Sequence, residues 1–326
     1  MQSTWLLAQP TPGQVRAGDP LADADFHHAM AARAPGLAIL LGERLARSRG
    51  AGGRTVAGAW ADSGADVTVI ADADPRHRSG TRLLVDGAVA VEQWARDIRA
   101  LGATGACWHA DLDSPTDQAP LTATVAGAIT RAGLAPMLWV TGPGSSVHDT
   151  DGIRAIGDLL DRAAADGADL GRLRVCLRVD PSAREWGGRL GSLVTGLSAA
   201  IPHAVAQVVV VVPRDRLHLA QSDAYELEHA MAHESAAWPL THCAGDLALR
   251  QVGGWWREPG LARRAGNRFE TIVGQLARPT GPVYVHRHES PAAPGETGDQ
   301  PRTGSPRTFD TSLFRGRSLY RHRSTR

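Results

Sequence analysis

Thirteen histidines, three cysteines and a complete lack of lysine set the chemistry open to this chain of 326 residues. All 35 of its cationic side chains are arginine. Without an amine there is no Schiff base, hence no pyridoxal-phosphate or lysine-aldolase chemistry, and no P-loop lysine. Asn267 is the single asparagine, and the whole pattern is what a GC-rich coding bias gives. His229 and His233 stand at i, i+4, and His286 and His288 at i, i+2, which are ligand spacings on a helix and on a strand. The first pair lies in EHAMAHE rather than HExxH, so it reads as surface histidines of an Arg/Ala-rich helix. Tyr225 and Glu228 have the i, i+3 spacing of a catalytic pair and read as decoration of the same helix face. The string TGPGSSVHD (141–149) is rich enough in glycine to cradle a phosphate, yet it lacks a GK[ST] and reads as a strand-end turn. Cys107, Cys176 and Cys243 are far apart and form no CxxC. That argues against a disulfide framework or a cysteine-rich zinc or iron–sulfur site, and makes a reducing cytoplasm the expected compartment.

These residues need elements to hold them. Residues 1–35, broken by Pro10, Pro12, Pro20 and Pro35, read as an irregular lead-in. Short apolar runs then recur at DVTVIA (66–71), TGACWHA (104–110), APMLWVTG (135–142), RLRVCLRV (172–179), QVVVVVP (207–213), PLTHCAG (239–245) and GPVYVHRH (281–288). Bounded by Gly, Pro or Asp, they read as buried strands. Helical patterns lie between them at 87–102, 122–133, 151–167 and 223–237, with Ile153, Ile156, Leu159, Leu160 and Ala163 forming one apolar stripe. Trp94 and Trp108 read as core. Seven alternations without a GxGxxG fit a single-domain (β/α)8 TIM barrel over 36–322 better than a doubly wound sheet. A mobile loop is expected at 290–308, and the basic end RGRSLYRHRSTR reads as a solvated tail, with 323–326 beyond the barrel. The net charge of +1 argues against a nucleic-acid partner, and no apolar run reaches the roughly 20 residues that span a bilayer.

Several strings, taken in order, resemble the Old Yellow Enzyme family of NADH:flavin oxidoreductases, in particular its trimethylamine-dehydrogenase-like branch. DVTVIADADPRHRSG and the following GAVAVEQWARDIRALGATGACWHADLDSP are similar to its second and third barrel units, through Trp108-His109-Ala110 and Ser114-Pro115. REWGGRLGSLVTGLSAAI (184–201), LTHCAGDLALRQVGGWW (240–256), RFETIVGQLARPTGPVYVHRHESP (268–291) and FDTSLFRGRSLYRH (309–322) follow in the family's order. The resemblance implies an FMN at the C-terminal mouth of the barrel. It places the phosphate at Arg287 and at Gly316-Arg317, with Ala71 and Ala73 allowing close backbone approach to the flavin. The glutamine for the flavin's pyrimidine edge falls on Ala106, and the arginine near N1 on Val210. The substrate-binding H-x-x-[HN] pair falls on Arg174 and Leu177. No histidine lies between His148 and His203 to restore that pair, and the family's iron–sulfur cysteines are absent.

His109, Arg174 and His242 are therefore the candidates for polar contacts at the mouth. The implied activity is hydride transfer from NADH or NADPH to flavin and on to an activated small-molecule acceptor, as in ene reduction. The alternative is a catalytically degenerate barrel serving as partner subunit of an active enzyme, in a homo- or hetero-oligomer, with Trp255-Trp256 and the basic tail as contact elements. A third reading is a metal-dependent barrel using His242, His286 and His288.

Overall fold

The computed structural model describes residues 5–8, 22–33, 36–72, 87–112, 115–141, 150–178, 196, 199–201, 205–212, 240–244, 263–264, 267 and 269–271. Eight parallel strands form a closed barrel in sequence order. They are β1 (Trp5–Ala8), β2 (Ala38–Gly42), β3 (Asp66–Ile70), β4 (Gly105–Asp111), β5 (Ala135–Thr141), β6 (Arg174–Arg178), β7 (Gln207–Val212) and β8 (Leu240–Ala244). The ring closes where Trp5 and Leu6 pair with Cys243 and Ala244. Helices α1 (Ala24–Ala31), α2 (Glu43–Arg47), α3 (Val56–Asp62), α4 (Gly87–Ala100), α5 (Pro115–Arg131) and α6 (Thr150–Ala165) follow the first five strands. This is the expected (β/α)8 barrel, and six of the seven expected strand runs are among its strands.

Its limits differ from those read in the sequence. The supposed lead-in holds β1 and α1. WLLA is only four residues long, but Trp5, Leu6 and Ala8 are fully buried, and Asp23 caps α1 by accepting from the N–H groups of Asp25 and Phe26. Because β1 and β2 supply two strands and β8 ends at Ala244, the segments 281–288 and 309–322 are not among the eight. Both lie outside the described residues, as do the expected loop 290–308 and the 323–326 tail. By internal contacts the chain divides into a unit over Met1–Gly281, which holds the barrel, and a second over Pro282–Arg326.

The elements follow from their sequences. The stripe Ile153, Ile156, Leu159, Leu160 and Ala163 is buried against the sheet, which makes α6 amphipathic in the way its spacing requires. Gly102 (φ 102°) and Gly133 (φ 79°) take the left-handed turns that stop α4 and α5 and redirect the chain into β4 and β5. Among the described residues, no helix is long and apolar enough to cross a membrane.

Alternate residues of β1 to β7 belong to two separate cores. Leu6, Ile39, Val67, Ala106, Trp108, Leu138, Leu177 and Val210 pack outward, beneath the helices. Trp5, Leu40, Ile70, Cys107, Met137, Trp139, Cys176, Val209 and Val211 fill the barrel. In such barrels alternate strands contribute the side chains of each interior layer. The register puts Trp5, Thr68, Met137 and Val209 in a lower layer and Leu40, Cys107 and Cys176 in the middle one. Leu7, Ile70, Trp139 and Val211 form the layer above. Cys243, paired with Trp5 and Val211, occupies the fourth register position of the middle layer. Burial pushes the Cys107 and Cys176 thiols far up, so both stay protonated and behave as small apolar residues.

Candidate functional site

Above the top apolar layer, at the carboxyl ends of the strands, the interior turns polar. On β4, His109 pairs in register with Trp139 of β5, and the two rings stand 5.3 Å apart at 34°. The next inward position on β2 is Gly42. His109 keeps part of its surface open, yet its surroundings withdraw it from water. Desolvation pushes the imidazole down to about 4, so the ring is neutral near pH 7. A neutral imidazole both accepts and donates a hydrogen bond, and can take up or give back a proton.

Two carboxylates stand just past the ends of β2 and β3. Directly after Gly42, Glu43 opens the short helix α2, and its Oε2 accepts from the Asp72 N–H at 3.5 Å. Its Oε1 accepts from Arg47 Nε at 2.8 Å. Asp72 stands two residues past the end of β3. Its carboxyl is raised above the usual range, first by burial and then by the nearby Glu43 carboxylate, while Arg44 and Arg47 oppose the shift. Ala71 is buried beside it and continues the β3–β4 ladder by donating to the Cys107 carbonyl at 2.9 Å. The mouth end of the barrel thus carries Ala71, Asp72 and Glu43 at the ends of β2 and β3, and His109 and Trp139 on β4 and β5. Of these, the sequence had singled out Ala71 and His109. The others sit at or just past strand ends, the one sequence signal that marks the mouth of such a barrel.

Arg174 lies elsewhere. It is the first residue of β6, at the opposite pole, where Nη2 donates to Asp66 Oδ2 at 2.9 Å and the guanidinium lies 5.3 Å from the Trp5 ring centroid. Thr104 holds the other Asp66 oxygen. That end of a barrel serves stability rather than catalysis, so Arg174 is removed from the mouth candidates. His242 pairs with Val210, a member of the outward-packing row, and is placed by its backbone alone. Ala106, Leu177 and Val210 all pack outward as well. These three positions, which the family resemblance aligns with flavin and substrate contacts, therefore do not face the barrel interior, whatever their residue types.

Arg287, Gly316 and Arg317 lie outside the described residues. So do Ala73, Tyr225, Glu228, His229, His233, Trp255, Trp256, His286, His288 and positions 142–149. Among the described residues, no group of three or more His, Cys, Asp or Glu side chains is placed to hold a metal ion. An open cleft of about 490 Å³ between α1 and α3, lined in part by His28, Arg54 and Asp62, lies among the outer helices and contains none of the mouth residues.

No protein-family model matches this sequence, and no curated protein matches it significantly. The fold is similar to that of a fructose-bisphosphate aldolase from Plasmodium falciparum, with 13% identity and a TM-score of 0.63 over 84% of this chain and 89% of that one. It is also similar to a Toxoplasma gondii protein described as a deoxyribose-phosphate aldolase, with 12% identity and a TM-score of 0.50 over 82% and 93% of the two chains. At these identities the likeness shows the fold alone.

Proposed function

We propose that this barrel binds a small organic molecule across its C-terminal mouth and that His109 handles a proton of that molecule. The observation that supports this reading is a neutral, desolvated imidazole at the polar end of an otherwise apolar interior. Groups of this kind, withdrawn from water yet open on one side, are concentrated at functional sites. Trp139 offers a flat apolar wall, and the Asp72 carboxyl, whose proton affinity burial and Glu43 raise, is a second titratable group at the rim. Chemistry through a lysine Schiff base is closed to the chain, since the sequence has no lysine.

In its most specific form the proposal is a divergent Old Yellow Enzyme-type oxidoreductase, with FMN across the mouth and NADH or NADPH as reductant. The fit of the described residues to FMN is incomplete. Ala71 and Trp139 suit a flat ring, but no described side chain at the mouth is assigned to its phosphate, and Ala106 and Val210 face away from where its pyrimidine edge would lie. No reaction step is derived through the flavin on that basis. The same outward placement favours the second reading, a barrel that has lost flavin chemistry and works as the partner subunit of an active enzyme.

Titration of the purified protein with FMN, followed by flavin absorbance and fluorescence, separates these forms. Saturable binding that His109→Gln weakens supports the oxidoreductase. Absence of binding, together with thermal stabilisation by other small molecules that His109→Gln abolishes, keeps the mouth site and removes the flavin. Ligand-induced stabilisation identical in wild type and His109→Gln refutes a role for His109.

A further inference from the structure

At the amino-terminal pole of the barrel three buried polar atoms have no hydrogen-bond partner among the described residues. They are Trp5 Nε1, Thr68 Oγ1 and Arg174 Nη1, each withdrawn from solvent. Trp5 is 1% exposed and Thr68 is fully buried. A buried donor left unpaired costs about 1–3 kcal/mol, and three such atoms at one pole call for a partner.

The three surround one guanidinium. Arg174 reaches across the barrel from β6 to Asp66 on β3, with 2.9 Å between Nη2 and Oδ2. Thr68 is two residues further along β3, on the same inward row as Asp66, and the Trp5 ring lies 5.3 Å from the guanidinium carbon. A Cβ built on Gly105 would stand 2.5 Å from Thr68 Oγ1 and 3.2 Å from the Ala135 carbonyl oxygen, so only a residue without a side chain lets β4 lie this close to the hydroxyl.

We propose that this pole holds an internal water molecule that accepts from Arg174 Nη1 and is shared with Thr68 and Trp5. Trp5 Nε1 and Arg174 Nη1 both lack an acceptor, and the Thr68 hydroxyl can donate to a water or accept from it. A neutral partner is favoured over an anion, because Asp66 already balances the guanidinium charge and a second negative charge beside it would be repelled. Leu40, Cys107 and Cys176 form a dry layer between this water and the mouth, so the site is structural and independent of the function proposed above.

Thr68→Val, which keeps the shape and removes the hydroxyl, tests this, with Thr68→Ser as the variant that keeps the hydroxyl. A shared water predicts that Val lowers Tm by about 2–4 °C and that Ser does so less. If the hydroxyl is an orphan, replacing it with a methyl removes a penalty and Val leaves Tm unchanged or raises it, which overturns the proposal. A crystal structure should show density within hydrogen-bond reach of Arg174 Nη1 and Thr68 Oγ1 in the wild type, and its loss in Thr68→Val; an empty wild-type site refutes the water. Stabilisation by chloride over gluconate at equal ionic strength, lost in Thr68→Val, would show an anion there instead and equally overturn it.

Discussion

The proton affinity of His109 can be tested without knowing any ligand. Folding moves its imidazole from the ordinary 6.5 down to about 4, so between those values the unfolded chain holds a proton that the folded chain refuses. Stability therefore falls as the pH drops from about 7 toward 4 and changes no further below that through this group. At pH 4.5 protonation favours the unfolded state by about 2.7 kcal/mol, while the folded imidazole recovers only about 0.2, leaving a loss of about 2.5 kcal/mol. The open side of the ring screens part of this, which brings the expected figure to about 1.5–2.5 kcal/mol. Other groups titrate over the same range, so the measurement is a difference. Urea unfolding of the wild type and of His109→Gln is followed at steps from pH 7.5 to about 4.5, and the wild type should lose stability faster by that amount. Parallel curves, or an NMR titration of the His109 ring with a midpoint near 6.5, would show a fully hydrated imidazole and remove the basis for a desolvated mouth.

Two substitutions test the placement of other groups. Asp66→Ala leaves the Arg174 guanidinium without its counter-ion at a partly buried pole and should cost about 1–2 kcal/mol in urea unfolding, with ligand binding at the mouth unchanged; impaired binding with normal stability would put Arg174 back among the site residues. Gly157→Ala sets two effects against each other. Alanine gains about 1 kcal/mol of helix preference within α6, but its methyl would run into the backbone carbonyl of Ala200. The clash should win, with a net loss of about 1–3 kcal/mol in the same assay, and a stabilised variant would contradict this close approach.

What the sequence could show was set by the kind of signal each residue gives. Runs such as QVVVVV and APMLWVT announce strands because they are apolar and bounded by breakers, and their recurrence with helical stripes between them implies the barrel. The same property hides the site. A strand buried on both faces loses the in–out alternation that fixes register, so a shift of one residue is invisible in the string. The family alignment sets its flavin and substrate contacts against Ala106, Leu177 and Val210, whereas the inward rows run through Cys107, Cys176 and Val209. Arg174 is on an inward row, but at the first residue of β6, and a string of letters does not say which end of a strand faces the mouth until its ends are known. His109 was legible because the polar letters of CWHAD follow the apolar ones, which marks a strand leaving the core. WLLA was missed because four residues among prolines carry too little periodicity to stand out.

The ring's seam joins the two most distant parts of the barrel. Trp5 and Leu6 have their partners on β2 near at hand, but their other edge waits for Cys243 and Ala244. At ordinary translation speeds the intervening chain takes on the order of tens of seconds to emerge. For that interval the nascent sheet carries an open edge on either side, with the indole of Trp5 and the guanidinium of Arg174 not yet enclosed. Factors that shield newly made strands from one another have their longest opportunity here, and the last rung to form is the one that ends it.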